Sequence, residues 1–110
     1  MAYVPDRGDL VWLSFNPQAG HEQAGRRPAL TLSPLRYNRT LGLALFCPVT
    51  SHIKGYPFEV SLPSGLPVSG VVLADQIRNL DWKARQVAFI SKAPPGVFTE
   101  VTAKLEALLR

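Results

Sequence analysis

The chain has 110 residues and a formal net charge of +4; 46% of its residues are hydrophobic and 18% are charged. These values indicate one globular domain over residues 1–110 rather than a disordered chain. The single cysteine, Cys47, excludes an internal disulfide. No apolar stretch approaches the roughly 20 residues of a membrane-spanning helix, and the N-terminus carries charge and proline where a signal peptide is apolar, so we expect a cytoplasmic protein.

Short segments separated by turn residues make up the first half of the chain. Alternation of apolar residues predicts a strand at 8–17 and a second strand at 28–33, in which Pro28 should stand first or on an edge because it has no N–H to donate. Residues 18–27 contain two glycines and no periodicity, which predicts a loop. Residues 34–42 are expected to form a turn or an irregular helical turn.

The second half continues the same pattern. A dense apolar run at 43–51 predicts a central strand, and further strands are expected at 58–62, 71–77 and 85–91, with 78–84 as a connector. Many short strands with turns at short intervals are typical of a small β-barrel or sandwich.

The C-terminal segment has a different period. Its apolar residues recur at intervals of four, four, three and one, which places them on one face of a helix of about four turns: Val97, Val101, Leu105, Leu108 and Leu109. We expect this helix to cover the apolar core, with a role in dimer packing as the second interpretation.

Several kinds of site lack their sequence signals. His21 and His52 are not at metal-ligand spacing and Cys47 stands alone, so no metal site is predicted. There is no glycine-rich nucleotide-binding loop, so no cofactor is predicted. No serine stands in a nucleophile-elbow context, although spacing alone leaves a Ser-His-Asp triad open.

Basic and aromatic residues are concentrated in the middle of the chain. Between residues 23 and 58 there are five basic residues and no acidic one, with two tyrosines among them. A solvated basic surface would give the same charge. Such residues also suit cleavage of RNA through its own 2′-OH, which needs alignment, proton transfer and stabilisation of a dianionic phosphorane.

One long stretch is specific to a family. The sequence "YVPDRGDLVWLSFNPQAGHEQAGRRPALTLSP", followed by "YN", "KGYPFEV", "LADQIRNLDW" and "KAR", closely resembles the MazF/PemK-type toxins of bacterial toxin–antitoxin pairs. The resemblance runs from about Tyr3 to Arg85. It implies a mainly β fold, an SH3-like small β-barrel with a C-terminal α-helix, and a homodimer. It also implies a sequence-specific, metal-independent endoribonuclease that a cognate antitoxin protein blocks.

The resemblance also implies three catalytic residues. Arg27, in "EQAGRRP", would hold the scissile phosphate and stabilise the phosphorane, since guanidinium donors match phosphate oxygens. Thr50, in "CPVTS", would donate its hydroxyl to a phosphate oxygen. Glu22 would act as the base or orient Arg27.

Five further residues are predicted to bind RNA. Asn38 and Gln76 carry amides that can read base edges, Lys54 can meet a phosphate, and Tyr56 can stack on a base. Arg26 is expected at the periphery of the site.

The predicted substrate is single-stranded mRNA, because unstacked bases expose their edges. Two alternatives remain at this point. One is a non-catalytic toxin of the same fold that binds a protein target such as a topoisomerase. The other is an RNA-binding module that does not cut.

Overall fold

The computed structural model describes residues 2–16 and 25–110. The strands in these residues are β1 (Asp9–Ser14), β2 (Arg26–Thr31), β3 (Ala44–Thr50), β4 (Glu59–Ser61), β5 (Val71–Leu73), β6 (Arg78–Leu80) and β7 (Ala88–Lys92). The helices are α1 (Leu35–Leu41) and α2 (Pro95–Leu109). The prediction of a mainly β fold with a C-terminal helix is confirmed.

All strand pairs in the described residues are antiparallel. The strands follow the order β4-β5-β3-β2-β1-β7, and β6 pairs with β3 beside this path. β3 is central, as predicted, because it pairs with β2, β5 and β6. Strand pairing within residues 2–16 and 25–110 leaves β4 and β7 as the two ends and does not close the sheet into a barrel.

Two predictions for the region after residue 70 are wrong. The strand expected at 71–77 ends at Leu73, and the connector expected at 78–84 contains β6. β6 has a mixed sequence without alternation, and it is extended because Asn79 pairs with Leu45 in β3. The partner that makes this segment a strand lies far away in the sequence.

The position of Pro28 also differs from the prediction. Pro28 is the third residue of β2, opposite Trp12, and β2 lies between β1 and β3. The pairs between β2 and β3 begin only at Ala29. The missing N–H is tolerated because Pro28 precedes that ladder.

The sheet buries apolar side chains on both faces. On the first face, strand residues such as Leu30 and Cys47 pack with Val97 and Val101 of α2; we call this the helix-side core. On the second face, residues including Leu13 and Phe46 form the outer cluster. The prediction that the C-terminal helix covers the core is therefore confirmed for its N-terminal half.

The last turn of α2 is not part of this cover. Leu108 and Leu109 are 50% and 77% exposed, although the sequence period assigned both to the apolar face. Period identifies a face of a helix, and it does not fix how far along the helix that face is covered.

Asn38 is a buried polar anchor for the N-terminal segment. Its side chain is fully buried. Its amide nitrogen donates to the carbonyl oxygens of Pro5 and Ser33, at 2.7 and 3.0 Å, and its amide oxygen accepts from the Ser33 hydroxyl at 2.6 Å. One side chain therefore ties together three segments of the chain.

Replacing this anchor should cost stability. We expect Asn38→Ala to lower the free energy of unfolding by about 2–4 kcal/mol, because buried carbonyl and hydroxyl groups lose their partners. Asn79→Ala is the matched control: Asn79 is exposed and donates one hydrogen bond, to Tyr37. Urea unfolding of both variants measures the difference, and an equal loss from the two would contradict the assigned role.

Cys47 is buried and should be unreactive. Burial, with the charge of Asp75 as a second cause, raises the pKa of its thiol to about 12. At pH 8 only a very small fraction of the molecules would therefore carry the reactive thiolate. We expect iodoacetamide to alkylate the folded protein far more slowly than the protein in guanidinium chloride, measured by mass spectrometry. Equal rates would show that the thiol is accessible.

Candidate active site

Arg27 and Thr50 lie on the same face of the sheet. Ala29 and Pro48 are directly opposite each other in the β2–β3 pair, so their side chains share a face. Arg27 stands two residues before Ala29, and Thr50 stands two residues after Pro48, each within its strand. Since the strands are antiparallel and side chains alternate with a period of two, both residues lie on that face and at the same end of the pair.

Arg26 lies on the opposite face. Arg27 is paired with Leu13 and Arg26 with Ser14, so successive residues of β2 alternate across the sheet. Leu13 belongs to the outer cluster, and this places Arg27 on the face of that cluster. The two adjacent arginines therefore face different surroundings, and only the second shares a face with Thr50.

Among the described residues, the hydroxyl of Thr50 has one defined partner. Its oxygen accepts a hydrogen bond from the backbone N–H of His52 at 3.1 Å. The hydroxyl proton is not used in this bond, so it can be donated to another group. Thr50 is only 6% exposed, and it forms part of the wall of a cavity.

That cavity is the concave site beside the end of β3. It has a volume of about 520 Å³. Its wall comes from the end of β3, the loop that follows it, β4, β5 and the turn after β5: Thr50, His52, Lys54, Tyr56, Phe58, Glu59, Leu73, Asp75 and Gln76. Basic, acidic, amide and aromatic groups thus meet in one concave surface.

The loop formed by residues 51–58 carries two of these groups side by side. The ammonium nitrogen of Lys54 lies 5.6 Å from the centre of the Tyr56 ring, a cation–π distance. Residues 51–57 are all exposed. The loop therefore presents a cation and an aromatic face to solvent at the mouth of the cavity.

Three of the five predicted RNA-binding residues come together, whereas Arg26, on the other face, and Asn38 do not join them. Lys54, Tyr56 and Gln76 come together in the cavity with Thr50. Asn38 lies elsewhere, fully buried under the N-terminal segment. This burial argues against the predicted contact with RNA, and we leave Asn38 out of the proposed site. Glu22 lies outside the described residues, as does His21.

Sequence reasoning did not single out Glu59. The alternation of 58–62 marked it only as the polar side of a strand. In the structure Glu59 is opposite Leu73, on the face that lines the cavity. Glu59 is the first acidic residue after the basic and aromatic stretch of residues 23–58, and this position is the local signal that could have identified it.

The described residues hold neither a candidate metal cluster nor a membrane-spanning helix. Within residues 2–16 and 25–110, no group of three or more histidine, cysteine or carboxylate side chains is placed to hold a metal ion. In the same residues, no helix has both the length and the apolar character to cross a membrane.

The chain belongs to a known toxin family. Residues 6–109 match the family of PemK-like, MazF-like toxins of type II toxin–antitoxin systems. The chain is similar to the endoribonuclease toxin MazF of Escherichia coli (strain K12), with 47% identity over 107 residues that cover 97% of this chain and 96% of that protein.

Solved structures agree with this assignment. A crystal structure of MazF from Deinococcus radiodurans matches with a TM-score of 0.96 and 62% identity, over 98% of both chains. A MazE–MazF structure from the same organism matches with a TM-score of 0.87 and 56% identity, over 98% of this chain and 97% of that chain.

Gly70 lets β5 approach the end of β3. A Cβ atom at Gly70 would lie 2.2 Å from the carbonyl oxygen of Thr50, and the φ of Gly70 is +122°. We expect Gly70→Ala to lower the free energy of unfolding by about 2 kcal/mol or more, because the backbone of Thr50 must move and the φ is strained.

Gly65→Ala separates these two causes. Gly65 has a φ of +95°, but a Cβ there would meet nothing within 4 Å. It should therefore show the cost of backbone strain alone. Chemical unfolding measures both variants, and a Gly65→Ala loss as large as that of Gly70→Ala would mean that the contact with Thr50 does not matter.

Proposed function

We propose that the chain is a sequence-specific endoribonuclease toxin that cleaves single-stranded mRNA without a metal ion. The observation that carries the proposal is that Arg27 and Thr50 share one face at one end of adjacent strands. Of the two, Thr50 lines the cavity, together with Lys54, Tyr56 and Gln76. The endoribonuclease names of its relatives support the same activity.

In the proposed reaction, the 2′-oxygen of the RNA attacks the adjacent phosphorus and loses its proton to a base. The bond from phosphorus to the 5′-oxygen breaks, and that oxygen takes up a proton. The products are a 2′,3′-cyclic phosphate and a 5′-hydroxyl. Arg27 stabilises the negative charge on the phosphorane oxygens, and the Thr50 hydroxyl donates to one of them.

The reaction also needs a base for the 2′-OH proton and an acid for the leaving 5′-oxygen. A guanidinium has N–H donors and no acceptor, so Arg27 is not assigned as the base. We assign the base, or the group that orients Arg27, to Glu22. Arg27 itself is the proposed source of the proton for the leaving 5′-oxygen.

Substrate binding is assigned to the cavity and its loop. Lys54 would contact a phosphate, Tyr56 would stack on a base, and Gln76 would read a base edge with its amide. Arg26, exposed on the other face, would add only peripheral charge. Single strands are the fitting substrate because their bases can leave the stack and enter a cavity.

The proposal extends to assembly and location. We propose a cytoplasmic homodimer with the SH3-like barrel that the resemblance implies. We also propose a cognate antitoxin protein, in keeping with the MazE–MazF structures of Deinococcus radiodurans. An antitoxin that occupies the cavity would block access of RNA to Arg27 and Thr50, and toxicity would result from loss of mRNA.

Cleavage of a long single-stranded RNA in EDTA tests the activity directly. We expect cleavage at a short motif, with products that end in 2′,3′-cyclic phosphate and 5′-hydroxyl. Arg27→Ala should reduce kcat by about a hundredfold or more, because a charge-stabilising donor is lost. Thr50→Val should also reduce kcat, and Thr50→Ser should restore much of it.

Arg26→Ala is the matched control for Arg27→Ala. It should leave kcat nearly unchanged. The slope of the logarithm of the binding constant against the logarithm of salt concentration should fall in magnitude by about one unit at most. Intact RNA with the unchanged protein would eliminate the nuclease and favour a non-catalytic binder. Cleavage that requires added magnesium would eliminate the proposed mechanism, and equal loss from both arginine variants would refute the assignment of Arg27.

A further inference from the structure

We propose that Glu59 is a positioning residue for RNA binding, which fixes the shape of the loop formed by residues 51–58. This inference rests on the proposed function of the cavity. It assigns to Glu59 no contact with the reacting atoms. Its role is to hold Lys54 and Tyr56 where a single-stranded RNA can use both.

Three hydrogen bonds join Glu59 to consecutive loop residues. One carboxylate oxygen accepts from the backbone N–H of Lys54 at 3.0 Å, and the other accepts from that of Gly55 at 2.9 Å. The backbone N–H of Glu59 donates to the carbonyl oxygen of Tyr56 at 3.1 Å. The first residue of β4 is thus bonded to the tip of the loop on both its side chain and its backbone.

Apolar packing does little to order this loop, so the hydrogen bonds are its main constraint. Residues 51–57 are all exposed, so burial contributes little to fixing the loop. Gly55 has a φ of +81°, and the backbone N–H groups of Lys54 and Gly55 both donate to the carboxylate of Glu59. Hydrogen bonds to a charged acceptor are stronger than neutral ones, so Glu59 is the main local constraint on the tip.

The base of the loop is held separately. The Thr50 hydroxyl accepts from the N–H of His52, and Lys104 of α2 donates to the carbonyl oxygen of Pro57 at 2.6 Å. Both ends of the loop are therefore fixed without Glu59. Loss of Glu59 should release the tip, where Lys54 and Tyr56 lie, and leave the ends in place.

A carboxylate in an RNA-binding cavity would ordinarily repel phosphate. In this cavity each oxygen of Glu59 is engaged by a backbone N–H, which offsets part of the charge and aims the side chain at the loop. The benefit is preorganisation: the Lys54 ammonium and the Tyr56 ring are ordered before RNA arrives, so binding costs less entropy.

The test uses binding and kinetics on the full chain. The binding probe is an RNA oligonucleotide that contains the mapped cleavage motif, with 2′-deoxyribose at the scissile position so that it cannot be cut. We expect Glu59→Ala to raise Kd and KM by about tenfold and to change kcat by less than about twofold. Glu59→Gln keeps one acceptor oxygen, so it should give an intermediate rise.

Control variants distinguish a change in the loop from a general effect of substitution on Kd and KM. Glu100→Ala removes an exposed glutamate of α2 that does not line the cavity, and it should change neither Kd nor KM. Gly55→Ala strains the same tip through its φ and should raise KM as Glu59→Ala does. Gly65→Ala, with a similar positive φ outside the cavity lining, should not.

A third measurement does not depend on activity. NMR-detected hydrogen exchange of the Lys54 and Gly55 amides should become faster in Glu59→Ala and stay unchanged in Glu100→Ala. Unchanged exchange, or an unchanged Kd while the unaltered protein cleaves RNA, would overturn the role of Glu59 alone. A fall in kcat at unchanged KM would also overturn it and would place Glu59 in the chemistry. If the unaltered protein neither binds nor cleaves RNA, the proposed function itself fails.

Discussion

The antiparallel register between β2 and β3 is the constraint on which the candidate site depends. It places the beginning of β2 beside the end of β3, so Arg27 and Thr50 share one face and one end. The cores on both sides of the sheet fix this register. Leu30 and Cys47 are opposite each other in the helix-side core, while Phe46 packs in the outer cluster. A slip of one residue would turn each set toward the wrong face.

Rigid and adjustable parts of the site are held by different forces. Thr50 belongs to a buried strand, and the backbone of Gly70 lies against it, so its position follows from core packing. The loop after it has exposed residues and is ordered by hydrogen bonds to Glu59 and Lys104. Packing of this kind favours a fixed geometry for the reacting groups, and polar bonds leave the substrate-binding loop at lower local stability.

The sequence predicted those parts of the fold whose cause is local. Alternation identified β1, a dense apolar run identified β3, and the helical period identified α2. β6 was missed because its extended form comes from pairing with β3, about 30 residues earlier in the chain. Asn38 was assigned to RNA because its amide can read a base edge. Its burial depends on Pro5, whose carbonyl it meets only after folding.

The residues of the candidate site that could be predicted are those indicated by side-chain type or by the family resemblance. Lys54, Tyr56 and Gln76 were expected near RNA and do line one cavity with Thr50. Glu59 was missed because its partners are backbone N–H groups, and no pattern of side chains records such bonds.

The pair Arg26–Arg27 shows why neighbours in sequence are not interchangeable here. In a helix or a loop, either guanidinium could swing toward a common phosphate. In β2 the pleat sends them to opposite faces, and their pairing with Leu13 and Ser14 of β1 holds this alternation in place. The extra arginine raises the charge of the surface without doubling the site. Its long-range attraction for a polyanion acts from either face, whereas stabilisation of a phosphorane requires donors within hydrogen-bond distance.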